Sequence, residues 1–283
     1  SWDIKDKGSY AIKVFNERKD DQSTRQANLD FIKEMTALQK LDDHKNIIKV
    51  IDHGEILETN QRFYISKWYD YDLHRFIKDT KEETFLAIYE SIEENYEIEE
   101  EKEEFIVKCK NSIKKNIYEE IRLLMYPILE ALEFCHQNNI YHRDVKPQNI
   151  LIDFDYEEGL EIIPKICDFG ISKENQVLHH TNTRVYMYSE PWGPIRADRE
   201  FEFQKTWDIF GWAAMTLSLI NAQIPETYEE LNDMVSSGDN SEYDQYFIQL
   251  LKNALNKDPL KRPQDISKYK EEIKKYIFPM EEN

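Results

Sequence analysis

The segment 141–150, Tyr-His-Arg-Asp-Val-Lys-Pro-Gln-Asn-Ile, restricts the fold and chemistry of this chain more than any other stretch. The carboxylate of Asp144 could accept a proton from a hydroxyl, Lys146 could neutralise a phosphate, and Asn149 could offer an oxygen to magnesium. Phosphoryl transfer is catalysed mainly by such positioning and charge stabilisation. The alternative is an ordinary charged loop between a helix and a strand, and the rest of the chain has to distinguish the two.

The composition argues against several classes of protein. A chain of 283 residues, 40% of them apolar, can form one large domain or two lobes around a core. The net charge of −19 argues against a nucleic-acid binder or a protein of anionic membrane surfaces. No apolar run has the length of a membrane span, and no signal-peptide pattern opens the chain. Cys109, Cys135 and Cys167 lack disulfide or zinc spacing, which predicts an intracellular, cytoplasmic protein.

Two early segments predict a strand and a helix that carry opposite charges. Residues 10–15 are rich in aromatic and β-branched types, which predicts a strand containing Lys13. Residues 26–41 predict a helix, because apolar residues recur there at helical spacing. These residues are Leu29, Ile32, Met35, Leu38 and Leu41. Lys13 could simply lie on a solvated face, but a lysine that binds phosphates needs an acidic partner, and the helix offers Glu34 or Asp30.

The tripeptide Asp168-Phe169-Gly170 offers a carboxylate that could bind a metal. Residues 149–154 and 161–168 predict a strand pair, and the second strand ends in Asp168-Phe169-Gly170. Magnesium that bridges phosphates needs a carboxylate beside the amide of Asn149, and Asp168 is the candidate. Alone the tripeptide is a weak signal. Placed 24 residues after Asp144 and across a hairpin, it is a strong one.

These features together resemble the catalytic domain of eukaryotic-type protein kinases. The segment 141–150 fills every defined position of the family's H-R-D-x-K-x-x-N loop, and Asp168-Phe169-Gly170 matches its second signature. Five further segments resemble family motifs in the required order: 10–15, 44–48, 183–190, 206–211 and 258–263. The resemblance implies an α+β, two-lobed fold, with a small antiparallel β lobe that carries one long helix and a larger, mostly helical lobe. The expected boundaries are 1–66 and 67–283, with an acidic insert at about 80–116.

The resemblance also implies a nucleotide site between the lobes. Glu34, preferred over Asp30, would hold Lys13 on the α- and β-phosphates of ATP. Counting back from Leu73 makes Ser66 the gatekeeper of a back pocket, while the Lys67 carbonyl and the Tyr69 amide would bond the adenine edge. The full set of nucleotide-binding residues implied is Lys13, Glu34, Ala11, Lys67, Tyr69, Leu151, Asn149 and Asp168.

The implied activity is transfer of the γ-phosphate of ATP to serine or threonine hydroxyls of proteins. Asp144 would orient the substrate hydroxyl and accept its proton, and Lys146 would steady the γ-phosphate. Asn149 and Asp168 would hold Mg²⁺. Thr183 would meet Asp144 and Lys146, an arrangement typical of serine/threonine kinases.

Structural braces are expected around this site. The resemblance implies that Asp208 is buried and supports the backbone of the loop, and that Arg262 forms a buried pair with Glu190. Independently of the family, Pro127 should kink or restart the helix predicted over 117–136, because proline lacks a backbone donor.

Some positions depart from the family pattern. Its glycine-rich loop should precede Lys13, but Gly8 is the first glycine and Gly54 the next. We expect a longer gene product to supply that loop. Tyr188-Ser189 replaces the family's Ala-Pro pair, and Ala213 replaces a glycine. These departures support an alternative function, that of a pseudokinase or scaffold that binds nucleotide and partners without efficient transfer.

The segment 82–104 is strongly acidic. It holds eleven glutamates and a single basic residue, Lys102, and so carries a charge of −10. Such a stretch is either a solvated insert without a specific task or a docking site for a basic partner. The acidic chain as a whole favours basic protein substrates.

Overall fold

The computed structural model describes residues 9–15, 21–79, 121–155, 161–169, 190–193, 205–221, 223–237 and 245–278. An antiparallel sheet and one long helix form the N-terminal part. Their bounds are β1 (Tyr10–Phe15), α1 (Asp21–Lys40), β2 (Val50–Ile56) and β3 (Gln61–Lys67). The strand order is β1-β3-β2, so β3 is the central strand.

The buried face of α1 differs from the predicted one. Leu29 and Ile32 were expected in the core but are 47% and 52% exposed. The buried stripe instead consists of Phe31, Glu34, Met35, Leu38 and Leu41. Phe31 explains the rotation, because its ring packs edge-on against Phe15 of β1 at 5.3 Å. The same rotation turns Glu34 toward the sheet.

The remainder of the described chain is mostly helical and includes a second antiparallel sheet of order β4-β5-β6. The bounds are β4 (Tyr71–Asp72), α2 (Leu73–Asp79), α3 (Tyr126–Gln137), β5 (Ile150–Asp155), β6 (Glu161–Ile166), α4 (Lys205–Asn221), α5 (Tyr228–Ser237), α6 (Gln245–Ala254) and α7 (Ile266–Ile277). The two-lobed α+β architecture is therefore present, and the predicted hairpin is β5–β6. None of the helices in the described ranges is both long and apolar enough to cross a membrane.

Pro127 restarts a helix, as its sequence position predicts. Residues Ile121–Met125 form a π-helical turn, and α3 begins at Tyr126 with Pro127 in its first turn. Proline is tolerated there because the first N–H groups of a helix have no partner within it. The Met125 carbonyl accepts a hydrogen bond from Trp212 Nε1 of α4 at 2.7 Å, which fixes the junction against the helical core.

Helix α4 is the centre of the larger lobe. Its residues from Thr206 to Leu219 are all buried. Gly211 allows α4 to approach the loop of residues 141–149, which we call the HRD loop. A Cβ at Gly211 would lie 2.5 Å from the Val145 carbonyl oxygen, closer than real contacts allow. The fold thus places α4 directly beneath the loop that carries the candidate catalytic residues.

Candidate active site

Lys13 contacts the carboxylates of two residues, Glu34 and Asp168, at one point of the cleft. Its Nζ lies 2.7 Å from Glu34 Oε1, 2.8 Å from Glu34 Oε2 and 2.7 Å from Asp168 Oδ1. The structure therefore pairs Lys13 with Glu34, the preferred of the two predicted helix carboxylates. It also brings together three residues that come from β1, α1 and the segment after β6.

The electrostatics of this cluster depend on its burial. Burial alone would lower the pKa of Lys13, but the charges of Glu34 and Asp168 raise it above its usual value. Burial raises the pKa of Glu34, while Lys13 acts in the opposite direction. Asp168 is partly exposed, and Lys13 outweighs its desolvation and lowers its pKa. Lys13 therefore stays charged at neutral pH and contacts both acidic side chains.

Sequence reasoning missed Tyr64. It lies opposite Lys13 in the β1–β3 register, and its hydroxyl donates to Glu34 Oε1 at 3.0 Å. In the sequence it is one aromatic residue of an aromatic-rich strand, a pattern that strand propensity alone explains. Only the strand register identifies it.

The HRD loop holds its polar residues in a compact arrangement. Asp144 is 5% exposed, and Lys146 Nζ lies 3.0 Å from its Oδ2. Asn149 Nδ2 donates to the Asp144 carbonyl at 2.8 Å and to Asp144 Oδ2 at 3.3 Å. The amide nitrogen of Asn149 thus anchors the loop, which leaves its Oδ1 as the atom able to coordinate a cation.

Asp208 braces the loop from below, as expected. Its fully buried carboxylate accepts from the His142 amide at 2.9 Å and from the Arg143 amide at 2.7 Å. Sequence reasoning missed His136, whose Nε2 lies 2.8 Å from Asp208 Oδ2 and must be the donor, since a carboxylate only accepts. Burial would raise the pKa of Asp208, but the hydrogen bonds and positive potential of its partners lower it.

The segment before the tripeptide docks onto the HRD loop. The Cys167 amide donates to the Asn149 carbonyl at 2.9 Å, and His142 Nε2 donates to the Cys167 carbonyl at 2.9 Å. Phe169 is fully buried, with its ring 4.9 Å from that of His142. Asp168 has a φ of 57°, a left-handed conformation that aspartate tolerates better than most residues. These contacts fix Asp168 next to Asn149.

The donor set fits a magnesium ion. Mg²⁺ prefers oxygen ligands and usually takes only one or two carboxylates together with water and substrate phosphates. Asp168 offers a carboxylate whose side chain is 49% exposed, and Asn149, whose carbonyl accepts from the Cys167 amide, offers Oδ1. Within the described ranges, no group of three or more His, Cys, Asp or Glu side chains is arranged to hold a metal. Water and substrate phosphates are the usual further ligands of such an ion.

The predicted adenine-binding residues lie where β3 ends. Ala11 and Ser66 are opposite each other in the β1–β3 register, so their side chains share one face of the sheet with Lys13. Ser66 is 7% exposed, whereas Lys67 points away from that face and its Nζ contacts Asp153 Oδ1 at 2.6 Å. The Ser66 side chain therefore lies on the face of the sheet that carries Lys13, and the Lys67 side chain lies on the other face.

Two further predicted nucleotide residues flank this region. Tyr69 is half-buried, and its ring lies 5.7 Å from Lys67 Nζ. Leu151 of β5 is half-buried and lies opposite Asp72 of β4 in the register. Both belong to the junction between the lobes.

Arg262 and Glu190, the two members of the predicted buried pair, differ in their burial. Glu190 is exposed, while Arg262 is 2% exposed and its Nε donates to the Asn256 carbonyl at 2.7 Å. The Phe210 ring lies 5.3 Å from the guanidinium carbon. Because Glu190 is exposed, the two residues do not form the fully buried pair that the resemblance implied.

Some predicted features lie outside the described residues. They are Thr183, Gly170, the Tyr188-Ser189 pair and the acidic segment 82–104.

Comparison with known proteins shows which family this chain belongs to. The sequence model of the protein kinase domain matches residues 2–275. The chain therefore belongs to the protein kinase domain family, as the motifs predicted.

Curated relatives carry the same family name. The chain is 30% identical over 182 residues to a Dictyostelium discoideum protein named "Probable serine/threonine-protein kinase gdt2", across 59% of this chain and 11% of that protein. It is 31% identical over 121 residues to serine/threonine-protein kinase ksp1 of Schizosaccharomyces pombe, across 43% of this chain and 25% of that protein. The chain matches only a quarter or less of the length of these relatives.

Solved structures share the fold. The kinase domain of Mycobacterium tuberculosis PknI superposes with a TM-score of 0.59 at 15% identity, covering 96% of this chain and 87% of that one. The apo form of PpkA superposes with a TM-score of 0.58 at 18% identity, covering 90% and 78%. At these identities the likeness concerns the fold alone.

Proposed function

We propose that this domain transfers the γ-phosphate of ATP to serine and threonine hydroxyls of protein substrates. The observation that carries the proposal is the position of Lys13, bonded to Glu34 and Asp168 at once. Phosphoryl transfer by protein kinases requires the strand lysine paired with the helix glutamate and the metal-binding aspartate in place. In this chain all three side chains already meet.

The nucleotide would lie between the lobes that we place at residues 1–66 and 67–283. Lys13, held by Glu34, would exchange part of its contact with Asp168 for the α- and β-phosphates. The adenine would contact Ala11 and the segment after β3. The remaining contributors in this proposal are the Lys67 carbonyl, the Tyr69 amide and Leu151.

Asn149 and Asp168 are the residues that would hold magnesium. When bound, the ion supplies charge neutralisation for the phosphates. The protein prepares this position by anchoring Asn149 through its amide nitrogen and by fixing the backbone of Cys167. Asp168 is also held by Lys13, so its carboxylate is oriented in advance.

Asp144 is the proposed acceptor of the substrate hydroxyl proton. Its carboxylate is held by Lys146 and Asn149, and its backbone amide lies 3.3 Å from His142 Nδ1. Proton transfer from a positioned hydroxyl requires such a fixed acceptor. Lys146 would then shift toward the γ-phosphate, where a cation offsets the charge that develops. Thr183 is proposed to support both residues.

The substrate class and the cellular location are proposed from the names of the relatives and from the composition of the chain. The curated relatives named above are serine/threonine kinases by name. The net charge of −19 favours basic substrates, and the acidic segment 82–104 is a candidate docking site for a basic partner. Cys135 and Cys167 are free thiols, which suits an intracellular protein.

The direct experiment is transfer of labelled γ-phosphate from ATP to a generic basic protein in the presence of magnesium. Wild type and Asp144→Asn are compared, with Asp233→Asn as a matched control on the exposed face of α5. We expect Asp144→Asn to lose transfer by at least about 100-fold while ATP binding is retained. The labelled residues should be phosphoserine and phosphothreonine.

Two results would count against the proposal. Equal transfer by Asp144→Asn and wild type would remove Asp144 from the mechanism. ATP binding without transfer, in wild type and in a version extended upstream of Ser1, would favour the pseudokinase function instead.

A further inference from the structure

The Glu34 carboxylate receives donors from two neighbouring strands. Lys13 of β1 donates to both of its oxygens, and Tyr64 of β3 donates its hydroxyl to Oε1 at 3.0 Å. Oε1 therefore takes two hydrogen bonds, one from a cation and one from a neutral group. A buried carboxylate needs such donors because burial penalises its charge.

Tyr64 is held rigidly in this position. It is 3% exposed, and its ring packs against that of Phe15 with centroids 6.1 Å apart. Lys13 Nζ lies 5.8 Å from the Tyr64 centroid and 5.3 Å from that of Phe15. The two rings therefore form an aromatic wall along the lysine, and the Tyr64 hydroxyl extends beyond that wall to Glu34.

The tyrosine hydroxyl remains a donor under all ordinary conditions. Burial, followed by the negative charge of Glu34, raises the pKa of Tyr64 far above its usual value. Unlike Lys13, the hydroxyl has no phosphate to bind, so it can stay on Glu34 when the lysine changes partners. Asp168, the third charged group at this point, contacts Lys13 and not the tyrosine.

We propose that Tyr64 is a positioning residue for nucleotide binding, which fixes Glu34 so that Glu34 in turn holds Lys13 at the phosphates. This inference rests on the proposed function for its catalytic consequence, but its binding consequence stands separately. Tyr64 touches neither nucleotide nor substrate in this account and acts only through Glu34.

The test is the affinity of the full chain for Mg-ATP, measured by calorimetry, in wild type, Tyr64→Phe, Glu34→Gln and the double variant. Tyr64→Phe keeps the ring and removes only the hydroxyl. We expect it to weaken ATP binding by about tenfold, the effect of losing one hydrogen bond to a charged group. In the Glu34→Gln background the same change should have little further effect, because the two residues act in series.

A matched control separates positioning from general stability. Tyr269 is another buried tyrosine, and its hydroxyl lies 3.4 Å from the Leu250 carbonyl, between α7 and α6. Tyr269→Phe should leave ATP affinity unchanged, and its melting temperature shows what loss of a buried hydroxyl does to folding. If Tyr64→Phe does not fold, it is replaced in the test by Tyr64→Met, whose side chain fills much of the volume and has no hydrogen-bond donor.

Steady-state kinetics provide a second measurement. If wild type transfers phosphate, Tyr64→Phe should raise KM for ATP and leave KM for the protein substrate unchanged. The inference is overturned if Tyr64→Phe binds ATP as tightly as wild type. It is also overturned if Tyr64→Phe lowers ATP affinity by the same factor in wild type and in the Glu34→Gln background. Absence of phosphate transfer by wild type would contradict the proposed function only. The ATP affinities of the four proteins would still decide the role of Tyr64.

Discussion

Lys13 and Asp168 are 155 residues apart in the chain, yet Lys13 Nζ lies 2.7 Å from Asp168 Oδ1. This ion pair connects the sheet of the small lobe to the hairpin of the larger one. It is also the contact that nucleotide and magnesium would have to replace in part. The single cation of Lys13 is therefore shared between the carboxylates of Glu34 and Asp168.

Replacement of Lys13 should show what its contacts with Glu34 and Asp168 contribute to phosphate transfer and to ATP affinity. Lys13→Met leaves Glu34 buried without its cation, and we expect phosphate transfer to fall by about 100-fold or more. ATP affinity should fall as well, which calorimetry would measure. Lys40→Met, on the exposed end of α1, is the matched control. Unchanged ATP affinity in Lys13→Met would remove the lysine from the nucleotide site.

Replacement of Asp208 should alter both stability and its dependence on pH. Asp208→Asn removes a buried charge that holds the His142 and Arg143 amides, and we expect a loss of about 3 kcal/mol in the free energy of unfolding. Since the pKa of Asp208 lies below its ordinary 3.8 in the folded state, its stabilisation is present above about pH 4. It is lost as the pH falls through the folded-state pKa.

Urea unfolding at pH 7 and at several values below pH 4 measures this effect. The difference between wild type and Asp208→Asn should shrink toward acidic pH. Asp233→Asn, on an exposed face, should follow wild type throughout. A difference that stays constant over this range would mean that the Asp208 charge does not stabilise the loop.

Gly211→Ala should damage the HRD loop without changing the surroundings of Lys13. The new Cβ would lie 2.5 Å from the Val145 carbonyl oxygen, so α4 or the loop has to move. We expect a destabilisation of about 1–3 kcal/mol and a fall in kcat larger than the change in ATP affinity. Gly54→Ala is the comparison, because its Cβ would meet the tip of the Phe63 ring, which can shift. An equal effect of both changes on kcat would contradict this prediction.

The ion pair between Lys67 and Asp153 joins the end of β3 to β5 at 2.6 Å. The Lys67 side chain is 56% exposed, so Lys67→Met should lower the free energy of unfolding by no more than about 1 kcal/mol. The difference should disappear in high salt, because screening removes an exposed attraction. Thermal unfolding at low and high ionic strength measures it, and a loss that salt does not change would indicate packing by the lysine stem.

The sequence predicted the contacts that lie within recognisable motifs. The pairing of Lys13 with Glu34 could be expected because a lysine that binds phosphates needs an acidic partner. The position of Asp208 beneath the HRD loop was implied by the kinase resemblance. Tyr64 could not, since a tyrosine in an aromatic strand looks like packing until the strand register places it opposite Lys13. His136 was missed for a similar reason, because its partner depends on how α3 crosses α4.

The errors have the same origin. The apolar stripe of α1 has two plausible faces, and the ring of Phe31 against Phe15 selects the one that leaves Leu29 and Ile32 exposed. Arg262 was expected in a buried pair with Glu190, but only Arg262 is buried and Glu190 is exposed. Tertiary packing decided both cases.

The brace under the HRD loop also sets the order in which the site can assemble. Asp208 follows Arg143 by 65 residues, so during synthesis every proposed catalytic side chain emerges before the carboxylate that holds the loop. A nascent chain ending near residue 193 would contain Lys13, Asp144 and Asp168 without Asp208. The HRD loop therefore receives the carboxylate that holds it only after α4 has been synthesised and has docked.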